Sequence, residues 1–137
     1  RIGQAIARRA RGFNMNVKYY NRSRLSPDWE KECGATYVDR DTLLKESDHI
    51  ILVMPYTPEN HHLFGEKELN MMKPTATLVN IARGGIVDEL ALAKALKDNK
   101  IFAAGIDVFE GEPTVRPELL ALKIAWLGWQ ERRHLTY

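Results

Sequence analysis

The sequence predicts a doubly wound parallel α/β sheet, and three observations lead to it. Short apolar runs, at residues 49–54, 77–81 and 102–106, have the length and composition of strands buried in a parallel sheet. These runs alternate with segments of helical composition, which argues for parallel strands joined by right-handed helical crossovers. Polar clusters follow two of the runs directly, as Asn80-Ile81-Ala82-Arg83-Gly84-Gly85-Ile86-Val87-Asp88-Glu89 and as Asp107-Val108-Phe109-Glu110-Gly111-Glu112-Pro113. In open parallel sheets, chemistry collects in the crevice beyond the carboxyl ends of the strands. An arginine and several acids delivered there read as a site, against the alternative that Arg83 forms only a surface ion pair.

The elements follow in order. Residues 3–11 have helix-forming composition, with alanines and isoleucine toward one side and Gly12 as the stop. A strand is expected over 16–20. Ser26-Pro27-Asp28 opens a helix, with serine as cap and proline in the first turn. A weak strand over 35–38 and a short helix over 42–46 come next, and the strand over 49–54 ends at Pro55. A helix over 66–72 stops before Pro74, and the strand over 77–81 leads into the arginine loop. The helix over 88–97 places Leu90, Ala93, Leu96 and Lys97 at helical spacing, with the leucines expected to face inward.

The bulk properties bound the function. At 137 residues and 45% hydrophobic content the chain is one domain's worth of soluble globular protein. A net charge of +2 without a clustered basic stripe gives no sign of a nucleic-acid partner. Arg8, Arg9 and Arg11 fall on a helix face and are expected to be solvated. No apolar run approaches the roughly 18 residues of a membrane span. The single cysteine, Cys33, cannot form an internal disulfide, so a reducing cytoplasm is expected, and it has no neighbour that would make it a nucleophile. No His/Cys cluster has metal-ligand spacing, so no metal site is expected.

The motifs Asn-x-x-Arg-Gly-x-x-Val-Asp-Glu, from Asn80, and Gly-x-Asp-Val-Phe-x-x-Glu-Pro, from Gly105, resemble two signatures of the D-isomer-specific 2-hydroxyacid dehydrogenases. The opening Arg1-Ile2-Gly3-Gln4-Ala5 resembles the end of that family's glycine-rich nucleotide loop. The Tyr20-Asn21-Arg22-Ser23 turn and His61-His62-Leu63-Phe64-Gly65 are most similar to its glyoxylate/hydroxypyruvate and 2-ketogluconate reductases. The resemblance implies a Rossmann-type sheet lacking its first strand, with an incomplete NAD(P)-binding domain over 1–123. It also implies an atypical tail over 124–137 and a substrate domain outside the chain. The strands over 16–20 and 49–54 would then each expose a pairing edge. The family acts on small 2-ketoacids or 2-hydroxyacids and its members usually form homodimers. A noncatalytic NAD(P)-sensing module, as in corepressors that resemble the family, is the alternative.

For the cofactor, Arg1, Ile2 and Gly3 would offer backbone N–H groups and the helix dipole to a pyrophosphate. Asn21 lies about 20 residues downstream, where such folds place a ribose-binding acid. An asparagine removes the charge that would repel a 2′-phosphate, while Arg22, Ser23 and Arg24 suit phosphate oxygens. NADP(H) is therefore expected over NAD, the competing reading being a basic solvent turn. By resemblance Met54, Pro55, Ile81, Ala82, Arg83 and Asp107 also line the cofactor, with Asp107 near the nicotinamide.

Reduction of a 2-ketoacid requires a hydride donor, a cation on the carboxylate and carbonyl, and an acid for the alkoxide. Arg83 matches the family's substrate arginine, and its planar fork suits a carboxylate. Glu112, before Pro113, matches the glutamate that supports the family's catalytic histidine, whereas Glu110 is expected to be solvated. The histidine's own Pro-His segment would fall shortly after Lys123, where Trp129, Gln130 and Glu131 stand instead. His134, between Arg133 and Leu135, is a poor substitute. His61 and His62 are expected to face solvent or the substrate domain, and His49 to be structural.

Overall fold

A computed structural model describes residues 1–122 and the backbone of residues 125–127. The chain divides into two compact units, Arg1–Glu46 and a second from Ser47 onward.

In the first unit, helix α1 (Ile2–Arg11), strand β1 (Val17–Tyr19), helix α2 (Pro27–Cys33), strand β2 (Ala35–Tyr37) and helix α3 (Arg40–Glu46) follow one another. Strands β1 and β2 pair in parallel, Val17 opposite Ala35 and Tyr19 opposite Tyr37. The core is small: Ala7, Cys33 and Ala35 are buried, with Val17 and Tyr19 packed against them, and Leu44 of α3 is also buried. Helix α2 starts as its sequence requires, with Ser26 accepting from the Trp29 N–H and Pro27 in the first turn. It ends at Gly34, whose φ of 60° is left-handed. A Cβ there would lie 2.6 Å from the Arg11 side chain, which donates to the Glu32 carbonyl. The arginines of α1 are exposed, as expected, and Arg8 also pairs with Glu32 at 2.9 Å. Cys33 is buried and lies 4.0 Å from the Gln4 carbonyl, a packing role.

The second unit contains β3 (His49–Leu52), α4 (Glu66–Met71), β4 (Thr77–Asn80), α5 (Glu89–Lys97), β5 (Ala103–Ile106), α6 (Pro117–Leu120) and β6 (Ala125–Leu127). Its sheet has the order β3-β4-β5-β6, with parallel pairing throughout. The parallel α/β expectation holds, but as two sheets. Among the described residues β1 has only β2 as partner and β3 only β4, so each keeps the open edge expected of it. His49 joins β3 to β4 through Thr77 Oγ1 at 2.8 Å, the structural role expected of it.

Two readings of burial are corrected. The apolar strands alternate rather than being buried throughout: Ile50 and Leu52 are buried while Ile51 and Val53 are exposed. In α5 the inward face is Glu89, Leu92, Ala93 and Leu96, and Leu90 is 49% exposed. Asp88 starts the helix by accepting from the Leu90 and Ala91 N–H groups, which rotates Leu90 outward. No helix among the described residues is long and apolar enough to cross a membrane.

Candidate active-site loops

In the second unit three loops follow the carboxyl ends of β3, β4 and β5, and the sequence pins them to one another. Asn80, buried at the end of β4, turns the chain: its Oδ1 accepts from the Ala82 N–H at 3.0 Å and its Nδ2 donates to the Arg83 carbonyl at 3.0 Å. This side chain imitates a backbone turn, as asparagine does where a strand must end sharply. Its carbonyl also receives the Asp107 N–H at 3.1 Å, which ties the end of β4 to the loop after β5.

Gly84 then brings the arginine loop against that neighbouring loop. A Cβ at Gly84 would lie 2.1 Å from both the carbonyl carbon and oxygen of Phe109, so no larger residue fits this approach. On the other side the loop after β3 is sewn to the same segment. His62 N–H donates to Gly85 O at 2.8 Å, Phe64 N–H to Ile86 O at 3.0 Å, and Asp88 N–H to Phe64 O at 3.0 Å.

Within this frame Arg83 is exposed, with one guanidinium N–H spent on the Ala82 carbonyl at 2.7 Å. Guanidinium carries five N–H donors, so a fork remains for a planar anion. Asp107 is exposed at the end of β5. Glu112 is exposed, and its Oε1 accepts from the Phe109 N–H at 2.8 Å, closing the turn that carries it. Met54 and Pro55 follow β3, and Ile81 and Ala82 follow β4, all beyond the strand ends where the sheet rule places chemistry.

One expectation about this region is corrected. Glu110 is not solvated: it is half-buried, 3.0 Å from His62 Nε2, 3.8 Å from His61 Nε2 and 4.0 Å from Arg116 Nη2. Of the two histidines expected to face solvent or the substrate domain, His61 is exposed and half-buried His62 turns Nε2 to this carboxylate. Behind them stands Glu89, only 3% exposed, a residue to which the sequence reading gave no role. Its Oε1 accepts from the Glu110 N–H at 2.6 Å, and its Oε2, without a hydrogen bond, lies 3.3 Å from Arg116 Nε. Burial pushes its carboxyl above the ordinary range, and the Glu110 N–H and Arg116 only partly oppose that shift. The sequence signal for Glu89 was its position one residue after a helix cap, on the inward side of α5.

The first unit carries the remaining candidates. Arg1 precedes α1 without a side-chain cap, which leaves the first-turn N–H groups of Ile2 and Gly3 as donors. A Cβ at Gly3 would meet nothing within 4 Å, so close packing does not explain this glycine among the described residues. Asn21, Arg22 and Ser23 are exposed after β1. Arg24 is engaged differently: it forks onto Glu30 at 2.7 and 2.9 Å, and Tyr19 donates to the same carboxylate at 2.6 Å. Chiefly through Arg24, then Tyr19, the Glu30 carboxyl is held down at about 2. Trp129, Gln130 and Glu131, which stand where the histidine segment would fall, and His134 lie outside the described residues.

A family model described as "D-isomer specific 2-hydroxyacid dehydrogenase, NAD binding domain" matches residues 1–127. A glyoxylate reductase from Thermococcus litoralis is 57% identical over 123 residues, covering 90% of this chain and 37% of that protein. One from Pyrococcus furiosus is 57% identical over 122 residues, covering 89% of this chain and 36% of that protein. Among solved structures, a glyoxylate reductase from Paecilomyes thermophila superposes with a TM-score of 0.88 at 44% identity, covering 99% of this chain and 40% of that one. Apo D-mandelate dehydrogenase from Rhodotorula graminis gives a TM-score of 0.87 at 38% identity, over 91% of this chain and 37% of that one. The chain thus spans well under half the length of the relatives it matches.

Proposed function

The chain belongs to the D-isomer specific 2-hydroxyacid dehydrogenases, as their NAD binding domain, and from that premise we propose that it is the cofactor-binding part of an NAD(P)H-dependent reductase of small 2-ketoacids of the glyoxylate reductase type. The observation that carries this reading is Arg83, exposed with donors to spare on a loop held by buried Asn80 and by the contact of Gly84 with Phe109. A cation so placed holds the carboxylate of a 2-ketoacid and polarises its carbonyl without reorganising during the reaction. The reduced nicotinamide supplies the hydride when bound.

The donor set fits such a cofactor. Uncapped N–H groups at the start of α1 suit a pyrophosphate. In the second unit Asp107 and the Met54–Pro55 and Ile81–Ala82 segments, assigned to the cofactor by resemblance, follow their strand ends. Glu112 is the acid that would support the catalytic histidine, in the part of the site assigned by resemblance. We assign residues 1–123 to the cofactor domain, and homodimerisation of the whole protein belongs to the same proposal.

The reading extends to NADPH over NADH. Asn21 brings no charge against a 2′-phosphate, while Arg22 and Ser23 are exposed and able to meet one. Arg24 is committed to Glu30, so the preference rests mainly on Arg22. NADPH should bind the chain more tightly than NADH in a fluorescence titration. Arg22→Ala should weaken NADPH alone, by about 1.5–3 kcal/mol for a lost charged hydrogen bond. Equal losses for both cofactors would make Arg22 structural. Glyoxylate-dependent NADPH oxidation by the whole protein tests the reaction itself, and its absence would refute the proposed substrate class.

A further inference from the structure

The second unit brings together a group of side chains that the reduction does not use. His61 and His62 stand side by side with rings stacked 3.8 Å apart, and both turn Nε2 toward the carboxylate of Glu110. One ligand atom from each residue lies within 4.8 Å of the other two. A histidine–carboxylate ion pair accounts for His62, at 3.0 Å from Glu110 Oε2. It does not account for His61, whose Nε2 turns to the same carboxylate from 3.8 Å, beyond hydrogen-bond reach. The hydroxyl of Tyr56 lies 3.1 Å from His61 Nδ1, so a proton held on Nδ1 leaves Nε2 free to bind.

From this arrangement we propose that His61, His62 and Glu110 form a binding site for one divalent ion of the zinc class. Two imidazole nitrogens and one carboxylate oxygen suit a borderline ion such as Zn²⁺ rather than Ca²⁺ or Mg²⁺. At metal–ligand distances of about 2.0–2.2 Å, tetrahedral ligands stand about 3.4 Å apart. The gaps of 3.0 Å from His62 to Glu110 Oε2 and 3.8 Å from His61 to Glu110 Oε1 fall on either side of that value, to different oxygens, so the carboxylate must turn on loading. Loading requires the two rings to splay, which exposed His61 can do without displacing any core residue.

The surroundings supply what such a site needs around its ligands. Tyr56 orients His61, and Asp88 Oδ2 stands 4.0 Å from His62 Nδ1, close enough to become its outer carboxylate once the ring turns to bind. Glu89 fixes the backbone of Glu110 through its N–H. Arg116 is the competing cation, 4.0 Å from Glu110 Oε2, but it is nearer to Glu89, at 3.3 Å. The ion would clamp the loop after β3 to the loop after β5, on either side of the arginine segment. Ligand spacing along the sequence could not reveal this group, because Glu110 stands 48 residues from His62.

The test is calorimetric titration of ZnCl₂ into the 137-residue chain after treatment with chelator, with Co²⁺ absorption as a reporter of ligand type. One ion should bind per chain and raise the melting temperature, and the Co²⁺ spectrum should be that of nitrogen and oxygen ligands without thiolate. His61→Ala and Glu110→Gln should each abolish the binding and the melting shift. His49→Ala, removing a histidine bonded to Thr77 instead, should leave both intact. Tyr56→Phe should weaken binding by about 10–100-fold, as loss of an orienting partner does. His61 and Tyr56 are exposed, so their variants should retain the far-ultraviolet spectrum of the parent. No binding, binding retained in His61→Ala or in Glu110→Gln, or a thiolate band in the cobalt spectrum would overturn the site.

Discussion

The loop after β4 and the loop after β1 both carry arginines assigned to ligands, yet they are built in opposite ways. The first is fixed from several sides: by a buried asparagine, by backbone bonds from the loop after β3, and by a glycine in contact with Phe109. The second presents Asn21, Arg22 and Ser23 to solvent, and its most constrained arginine, Arg24, is held by Glu30 six residues away. A group that must polarise a reacting carbonyl gains from a frame that does not move. A group that only selects a phosphate can work from a surface turn.

The most damaging way to break this contrast is at Gly84. Gly84→Ala forces a methyl group into the Phe109 carbonyl, backbone against backbone, and should cost about 3 kcal/mol in urea unfolding. An unchanged midpoint would mean that the loops are not pinned there. Asn80→Ala comes next. It leaves the Ala82 N–H and the Arg83 carbonyl without their buried partner and should cost about 2 kcal/mol.

Two glutamates sharpen the comparison through pH, because their carboxyls are shifted in opposite directions. Glu30 is lowered from 4.5 to about 2, so the stability it contributes is present above 4.5 and lost as pH falls through 2. Glu89 is raised from 4.5, so its contribution is present below 4.5 and lost as pH rises through the raised value. Unfolding of Glu30→Gln should therefore lose its extra sensitivity to strong acid. Glu89→Gln should lose a decline above 4.5 instead. Parallel pH profiles for the two variants would contradict the assignment. The smallest effect is expected at the α2 cap, where Ser26→Ala gives up a single long bond of 3.5 Å and should cost about 0.5 kcal/mol in thermal unfolding.

What the sequence made legible were features whose causes are local. Ser26 caps α2, Asp88 caps α5, and each apolar run produced a strand within a few residues of its expected bounds. The motif around Arg83 also placed that residue correctly beyond a strand end. Features with distant causes were not legible. Glu110 was expected in solvent because the residues that engage it, Glu89, Arg116 and His62, reach it only through the fold. Arg24 read as a ligand residue because nothing in its turn showed that Glu30 would return to it. Leu90 read as core because its spacing fits a helix face, and only the observed cap sets which face turns inward.

The central claim is that Arg83, on its fixed loop, is the group that holds and polarises the ketoacid. Steady-state reduction of glyoxylate by the whole protein and by its Arg83→Ala variant tests it most directly, with NADPH affinity measured alongside. Removing a preorganised donor from a developing oxyanion typically costs about 10²–10³ in rate, so kcat/KM for glyoxylate should fall by at least that much. NADPH should bind the variant nearly as well as the parent. Retained turnover, or a loss that falls on NADPH binding alone, would contradict the account.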